Sequence, residues 1–205
     1  MAVRAPLVAA PPRGFKLRAA FGPFLAAALL VGASRNSASA AQLECLRTPN
    51  GGIQPQAVID GQGTIHLIYF KGKAGGGDLF YVRRAAGRTN WTAPLRVNSR
   101  SGSAIAAGTI RGGQIALGRE GRIHVAWNGG SGAAPARHPG APMLYARLND
   151  AGAAFEPERD VMTDSAWLDG GGSVAADARG NVYVVWHAFP PGNQAGEAGR
   201  AVFVV

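Results

Sequence analysis

Several side chains able to ligate or transfer protons gather in the Gly/Pro-rich stretches of this sequence. His187 directly follows Trp186 at the end of an apolar run. That position suits proton transfer, because imidazole titrates nearest neutrality. Glu197 stands in the same stretch, "HAFPPGNQAGEAGR" (187–200). Trp167 and Asp169 lie two residues apart in "DSAWLDGGG" (164–172). An indole face for stacking beside a carboxylate that accepts hydroxyl hydrogen bonds is a sugar-binding combination, and the same indole reads equally as a plug between packed sheets. Lys71, Lys73 and Asp78 belong to "KGKAGGGD" (71–78), Arg111 to "SRSGSAIAAGTIRGG" (99–113), and Arg137 and His138 to "NGGSGAAPARHPGAP" (128–142). Cations presented from loops suit anionic groups: carboxylate, sulfate or phosphate.

Such loops need a rigid scaffold, and a repeat supplies it. "GTIHLIY" (63–69), "GRIHVAW" (121–127) and "GNVYVVW" (180–186) are one phrase written three times, its glycines spaced by 58 and 59 residues. A short strand precedes each glycine ("QAVID", "QIALG", "SVAAD"), and the turns between suit tight hairpins in which glycine takes positive φ. A third strand follows each long loop, at 79–84, 143–148 and 201–205, and a fourth follows at 95–99 and 160–164. No sustained helical period appears after the leader. In "IHVAW" and "VYVVW" both alternating faces are largely apolar, as a sheet sandwiched between two others requires. The reading is all-β: propeller blades of four antiparallel strands, in repeats of about 53–110, 111–169 and 170–205, the last incomplete.

This topology puts the second-to-third and fourth-to-first connections at one end of every blade. The long loops all belong to that set, which makes it the working face. His66 and His124 resemble a metal or catalytic pair until their counterpart in the third unit proves to be Tyr183. A strand position that takes His, His and Tyr reads as packing with a satisfied polar tip.

Residues 1–40 carry five basic residues and no acid around the apolar run "AAFGPFLAAALLVGA" (19–33). With Ala38-Ser39-Ala40 behind it, this reads as a signal peptide cleaved before Ala41, followed by a linker over 41–52 and a secreted or periplasmic mature chain. The run is short for a membrane span, so no membrane association is expected after cleavage. Removing the leader lowers the formal charge from +9 to +4. Ten Lys/Arg fall between Lys71 and Arg122 against two acids, but they are not interleaved with aromatics as nucleic-acid binding would want. The single cysteine allows no internal disulfide, and no CxxC or HExxH motif is present. Neither a metal nor a cofactor is implied.

The units resemble the blades of the sialidase-like (BNR/Asp-box) propeller superfamily, six-bladed in its sialidase members. The resemblance is carried best by "MLYARLNDAGAAFEP" (143–157), where Asp150, Gly152 and Phe155 hold places of the Ser-x-Asp-x-Gly-x-Thr-Trp box. In the family that carboxylate caps a turn, the glycine permits it and the aromatic packs on the blade. "VRRAAGRTNWTAP" keeps Gly87 and Trp91 of the box and lacks its aspartate. The resemblance implies recognition of a glycan or other anionic ligand, with exo-sialidase-type hydrolysis as the enzymatic version. Asp78 lies near the place of the family's acid/base aspartate, and His187 or Glu197 is the other candidate for that role. Lys71, Arg111, Arg137, His138, Trp167 and Asp169 are the candidate ligand contacts. Ile53 stands where the family places its first carboxylate-binding arginine. That departure favours a rival reading, a non-catalytic binding or scaffold module. A fragment without independent activity is the third, its remaining blades coming from a longer chain or from other copies.

Overall fold

A computed structural model describes residues 43–108, 112–193 and 196–205. The signal peptide expected over 1–40, and Arg111, lie outside the described residues. Three antiparallel sheets follow one another along the chain. The first blade is β1 (Ile53–Ile59), β2 (Ile65–Lys73), β3 (Gly76–Arg84) and β4 (Leu95–Arg96). The second is β5 (Gly113–Leu117), β6 (Ile123–Asn128), β7 (Met143–Arg147) and β8 (Arg159–Asp160). The third is β9 (Ala166–Ala176), β10 (Val182–Phe189) and β11 (Ala201–Val204). Strand order follows chain order in each sheet, so every connection is a simple hairpin or a step to the next blade. The all-β reading, with propeller-type blades of antiparallel strands, therefore holds.

The blades stack face to face, and the alternation of side chains in the second strands explains why. Ile68 and Phe70 of β2, with Leu79 and Tyr81 of β3, pack against Ile123, Val125 and Trp127 of β6. The other face of blade 2, with Ala126, Met143 and Tyr145, packs against Val184, Trp186 and Ala188 of β10. Both faces of β6 are thus used, and all six of its residues are buried. A large apolar side chain buried this way contributes about 1.5–3 kcal/mol. The face of blade 3 turned away from blade 2 carries Tyr183, Val202 and Val204, all exposed.

One aromatic per blade ties the stack to the incoming chain. Tyr69, Trp127 and Trp186 occupy the same place near the end of each second strand, and each is almost fully buried. Each also has its polar atom bonded to the segment that leads into its own blade. The Tyr69 hydroxyl accepts from Asn50 at 3.2 Å, Trp127 Nε1 donates to the Ser103 carbonyl at 3.2 Å, and Trp186 Nε1 donates to Ser165 Oγ at 2.9 Å. Buried indoles and phenols need such partners, and here the partner anchors the chain just before that blade's own first strand.

Three readings of local structure change. The stretch 71–78 is a continuous hairpin: Lys71 pairs with Asp78 and Lys73 with Gly76, which leaves only residues 74–75 as the turn. The stretch 164–172 is mostly strand, because β9 begins at Ala166 and reaches its regular part through two register shifts. Trp167, at φ 54°, and Gly170, at φ 70°, take the left-handed backbone there. In the loop after β7 the turn is capped by Asn149, whose Oδ1 accepts from the backbone N–H of Ala153 at 3.0 Å. Asp150 instead pairs with Arg122 and is exposed. Gly152 is left-handed at φ 64°, and Phe155 meets Tyr81 edge to face at 5.7 Å.

His66 and His124 stand inside the stack, each bonded through Nδ1 to a tyrosine hydroxyl at 2.7 Å, Tyr81 and Tyr145 respectively. Burial, with Arg122 and Arg147 nearby, lowers the His124 pKa from 6.5 to about 4. A histidine kept neutral in the fold stabilises it fully above its unfolded pKa and less as pH falls below it. The thermal midpoint of the wild-type protein is therefore expected to drop between pH 6.5 and 4 by more than that of His124→Gln, the difference being traced by melting both across that range.

Candidate functional site

The strand registers bring the starts of β1, β5 and β9 to the same end of their sheets as the β2–β3, β6–β7 and β10–β11 connections. The candidate residues on this end fall into three groups.

The first group lies at the seam between blades 1 and 2. Asp78 accepts from Asn98 Nδ2 at 2.7 Å, from the Gly102 N–H at 2.8 Å and from Ser101 Oγ at 3.3 Å. Asn98 is itself buried, and its Oδ1 accepts from the Leu79 N–H at 2.9 Å. From blade 2, Glu158 grips the same segment: its carboxylate accepts from the Ser99 N–H at 2.6 Å and the Arg100 N–H at 3.2 Å. Burial works against the Glu158 charge, but the hydrogen bonds from Ser99 and Arg100 win and hold its pKa below the usual carboxylate range. Asp78 is thus a structural acceptor, although its position made it a candidate acid/base. Sequence reasoning missed Glu158, whose partners lie more than fifty residues away. Lys71 and Lys73 project from the hairpin as exposed cations.

The second group lies on blade 3. His187 and Asp169 are cross-strand partners of β10 and β9. Arg200, absent from the sequence candidates, organises what surrounds them. Its guanidinium pairs with Asp169, binds Glu197 at 3.1 Å and stacks over Phe189 at 5.0 Å. The Glu197-to-Arg200 spacing of three was the only signal in the sequence. Asp169, His187 and Glu197 are therefore brought to one place, with both carboxylates already engaged by one arginine.

The third group spans blade 2 and the start of blade 3. A cavity of about 490 Å³ is lined by Arg137, His138, Arg159, Asp160, Met162 and Thr163. His138 Nε2 meets Asp160 Oδ2 at 3.0 Å, and its Nδ1 donates to the Pro139 carbonyl at 3.2 Å. Arg159 lies over the Tyr145 ring at 5.3 Å. Among the described residues no carboxylate forms an ion pair with Arg137 or Arg159, so the mouth of the cleft is cationic. The same Pro139 carbonyl accepts from the Trp167 N–H at 2.8 Å. Gly140 makes this approach possible: a Cβ there would sit 2.9 Å from the Trp167 Cα. The contact holds Trp167 in its left-handed conformation, with 43% of its surface exposed.

What the arrangement offers is recognition: guanidinium groups for an anionic oxygen, an exposed indole for a ring face, and a His–Asp pair for hydroxyls. Asp78→Ala should leave ligand affinity at this cleft within twofold while lowering the unfolding free energy by about 1–3 kcal/mol, as measured by chemical denaturation, because three donors lose their acceptor.

No family model matches the chain, and no curated protein matches it. Solved structures do resemble it. One is a fucose lectin from Kordia zhangzhouensis in complex with methyl-fucoside, at 15% identity and TM-score 0.42, covering 74% of this chain and 91% of the lectin. A second is the BT0996 RGII complex, at 16% identity and TM-score 0.39, covering 73% of this protein and 52% of that one. A third is a GH62 hydrolase in complex with xylotriose, at 10% identity and TM-score 0.37, covering 73% and 53%. The chain spans about half the length of the latter two and most of the first.

Proposed function

We propose that this chain is an exported carbohydrate-recognition module built from sialidase-like blades, and that it takes acidic glycans at the loop end. The observation that carries the reading is the cleft between Arg137 and Arg159, joined through Pro139 to the exposed Trp167. A guanidinium binds a sugar carboxylate or sulfate through paired N–H bonds, and an indole stacks on the apolar face of a pyranose ring. Binding is favoured over hydrolysis because the carboxylates that would serve as acid and base are engaged: Asp78 in the seam, Asp169 and Glu197 on Arg200. Ile53, exposed at the mouth of β1, supplies no charge where the family has an arginine.

On an array of neutral, uronate-bearing and sulfated oligosaccharides, the protein should retain the charged ones. The double variant Arg137→Ala/Arg159→Ala should weaken the best of them at least tenfold, about 1.4 kcal/mol, with Trp167→Ala doing the same. Preference for neutral sugars, or full affinity in both variants, would refute the reading, and steady release from fluorogenic glycosides would turn it toward hydrolysis.

Export follows from the leader pattern. Protein recovered outside the cytoplasm of the producing cell should begin at Ala41 by intact-mass measurement. A product that keeps residues 1–40 would count against it.

A further inference from the structure

The hairpin between the first two strands is built three times, and the way it varies points to a second site at the opposite end of the sheets. In blade 1 Asp60 closes the turn: Oδ1 accepts from the Gln62 N–H at 2.9 Å and the Thr64 N–H at 2.8 Å, while Oδ2 meets His66 Nε2 at 3.2 Å. Blade 3 repeats the cap with Asp177, which accepts from Arg179 at 2.9 Å and Asn181 at 2.8 Å. Blade 2 has Gly118 at this place. There Glu120 takes φ 57° and Arg119–Gly121 form a 3-10 turn.

The ring pair behind the turn is nevertheless kept. His124 and Tyr145 have their centroids 6.0 Å apart and their planes 16° apart, the same values as His66 and Tyr81. His124 therefore has the tyrosine that meets Nδ1 and lacks the acid that meets Nε2. It is 5% exposed, and among the described residues nothing bonds to Nε2. A Cβ at position 118 would lie 2.5 Å from that atom, so the ring edge stays open only because residue 118 has no side chain.

His124 lines a cavity of about 270 Å³ between blades 2 and 3, with Arg122, Tyr145, Arg147 and, from blade 3, Gly180 and Val182. The hairpin adds Arg119 and Glu120, which pair with each other at 3.0 Å, and blade 3 adds no titratable group to the lining. Arg147 holds Glu156 through Nε at 2.8 Å, leaving its two terminal amino groups for a ligand. Arg122 pairs with the exposed Asp150, which lies outside the lining. Arg122 and Arg147 both push the imidazole toward its neutral form, so the local potential is positive.

We infer that this cavity is a binding site for a small oxyanion, held by His124 Nε2 with Arg122 and Arg147, in the role that the Asp60 carboxylate plays beside His66 in blade 1. Carboxylate, sulfate and phosphate share the needed chemistry: one oxygen for the imidazole edge and others for guanidinium N–H groups. Binding favours the imidazolium, so it draws a proton onto His124.

The test is an NMR titration of the histidine ring signals of the full chain with sodium sulfate, phosphate and acetate in turn, each against chloride at matched ionic strength. His124 should shift saturably and its pKa should climb well above the starting value of about 4. His66, already facing Asp60, should not respond. The anion that saturates at the lowest concentration names the group. Gly118→Asp puts a side chain against the open ring edge and should weaken anion binding at least tenfold. Arg147→Gln should weaken it as much, and it tests the site even if the Gly118 variant does not fold. A wild-type His124 that ignores all three anions, or answers chloride equally, overturns the inference, as does Arg147→Gln with undiminished affinity. The loop-end cleft plays no part in any of these readings, so glycan binding and this site stand or fall separately.

Discussion

A β-sheet with two apolar faces cannot be stable alone, and every other feature of this protein depends on that constraint. β6 is the extreme case, buried along its whole length between its neighbours. Stacking solves the problem of apolar surface but creates another, since each blade must still place its backbone and polar tips at the right height relative to the next. The aromatics Tyr69, Trp127 and Trp186 solve both at once. The rings of Trp127 and Trp186 fill the space between sheets and that of Tyr69 covers the outer face of the first blade, while their polar atoms fasten the chain that enters the blade. Loss of the fastening would leave a buried donor or acceptor without a partner, which makes the arrangement specific as well as stabilising.

The two ends of the stack use this frame differently. At the loop end, irregular backbone re-aims side chains: the shifts in β9 and the left-handed Trp167 lift an indole into solvent beside the Arg137 and Arg159 cleft. Bulges of this kind commonly re-direct a residue that a regular strand would bury. At the hairpin end the same closing backbone hydrogen bond recurs in every blade, and diversity arises from single residues set into one repeated turn: Asp60, Gly118, Asp177. The protein therefore varies geometry at one end and chemistry at the other.

The repeat, the turn glycines and the face-to-face packing were legible in the sequence because each rests on local pattern: positive φ at Gly63, Gly121 and Gly180, and two apolar faces in each second strand. The Gly-rich stretches 71–78 and 164–172 were misread as loops. Their residues carry no hydrophobic alternation, and what makes them strands is pairing with a neighbour that local sequence does not specify. The role of Asp78 was hidden for the same reason, since its donors arrive from residues 98–102. Arg137 and His138 were found because loop cations stand out in a sequence, whereas Arg159 and Asp160, sitting on a two-residue strand, looked like scaffold. Asn149 displaced Asp150 as the turn cap because an amide oxygen one residue earlier reaches the same N–H groups.

The segment from Ser99 to Ser103 is gripped from both sides, by Asp78 of one sheet and Glu158 of the next. Prising the two sheets apart must break one grip or the other, and if the segment stays with the first sheet Trp127 loses its acceptor as well. The first two blades are thereby mechanically coupled: they should yield to force or heat as one cooperative body, not peel away one by one as the units of a loosely strung array do.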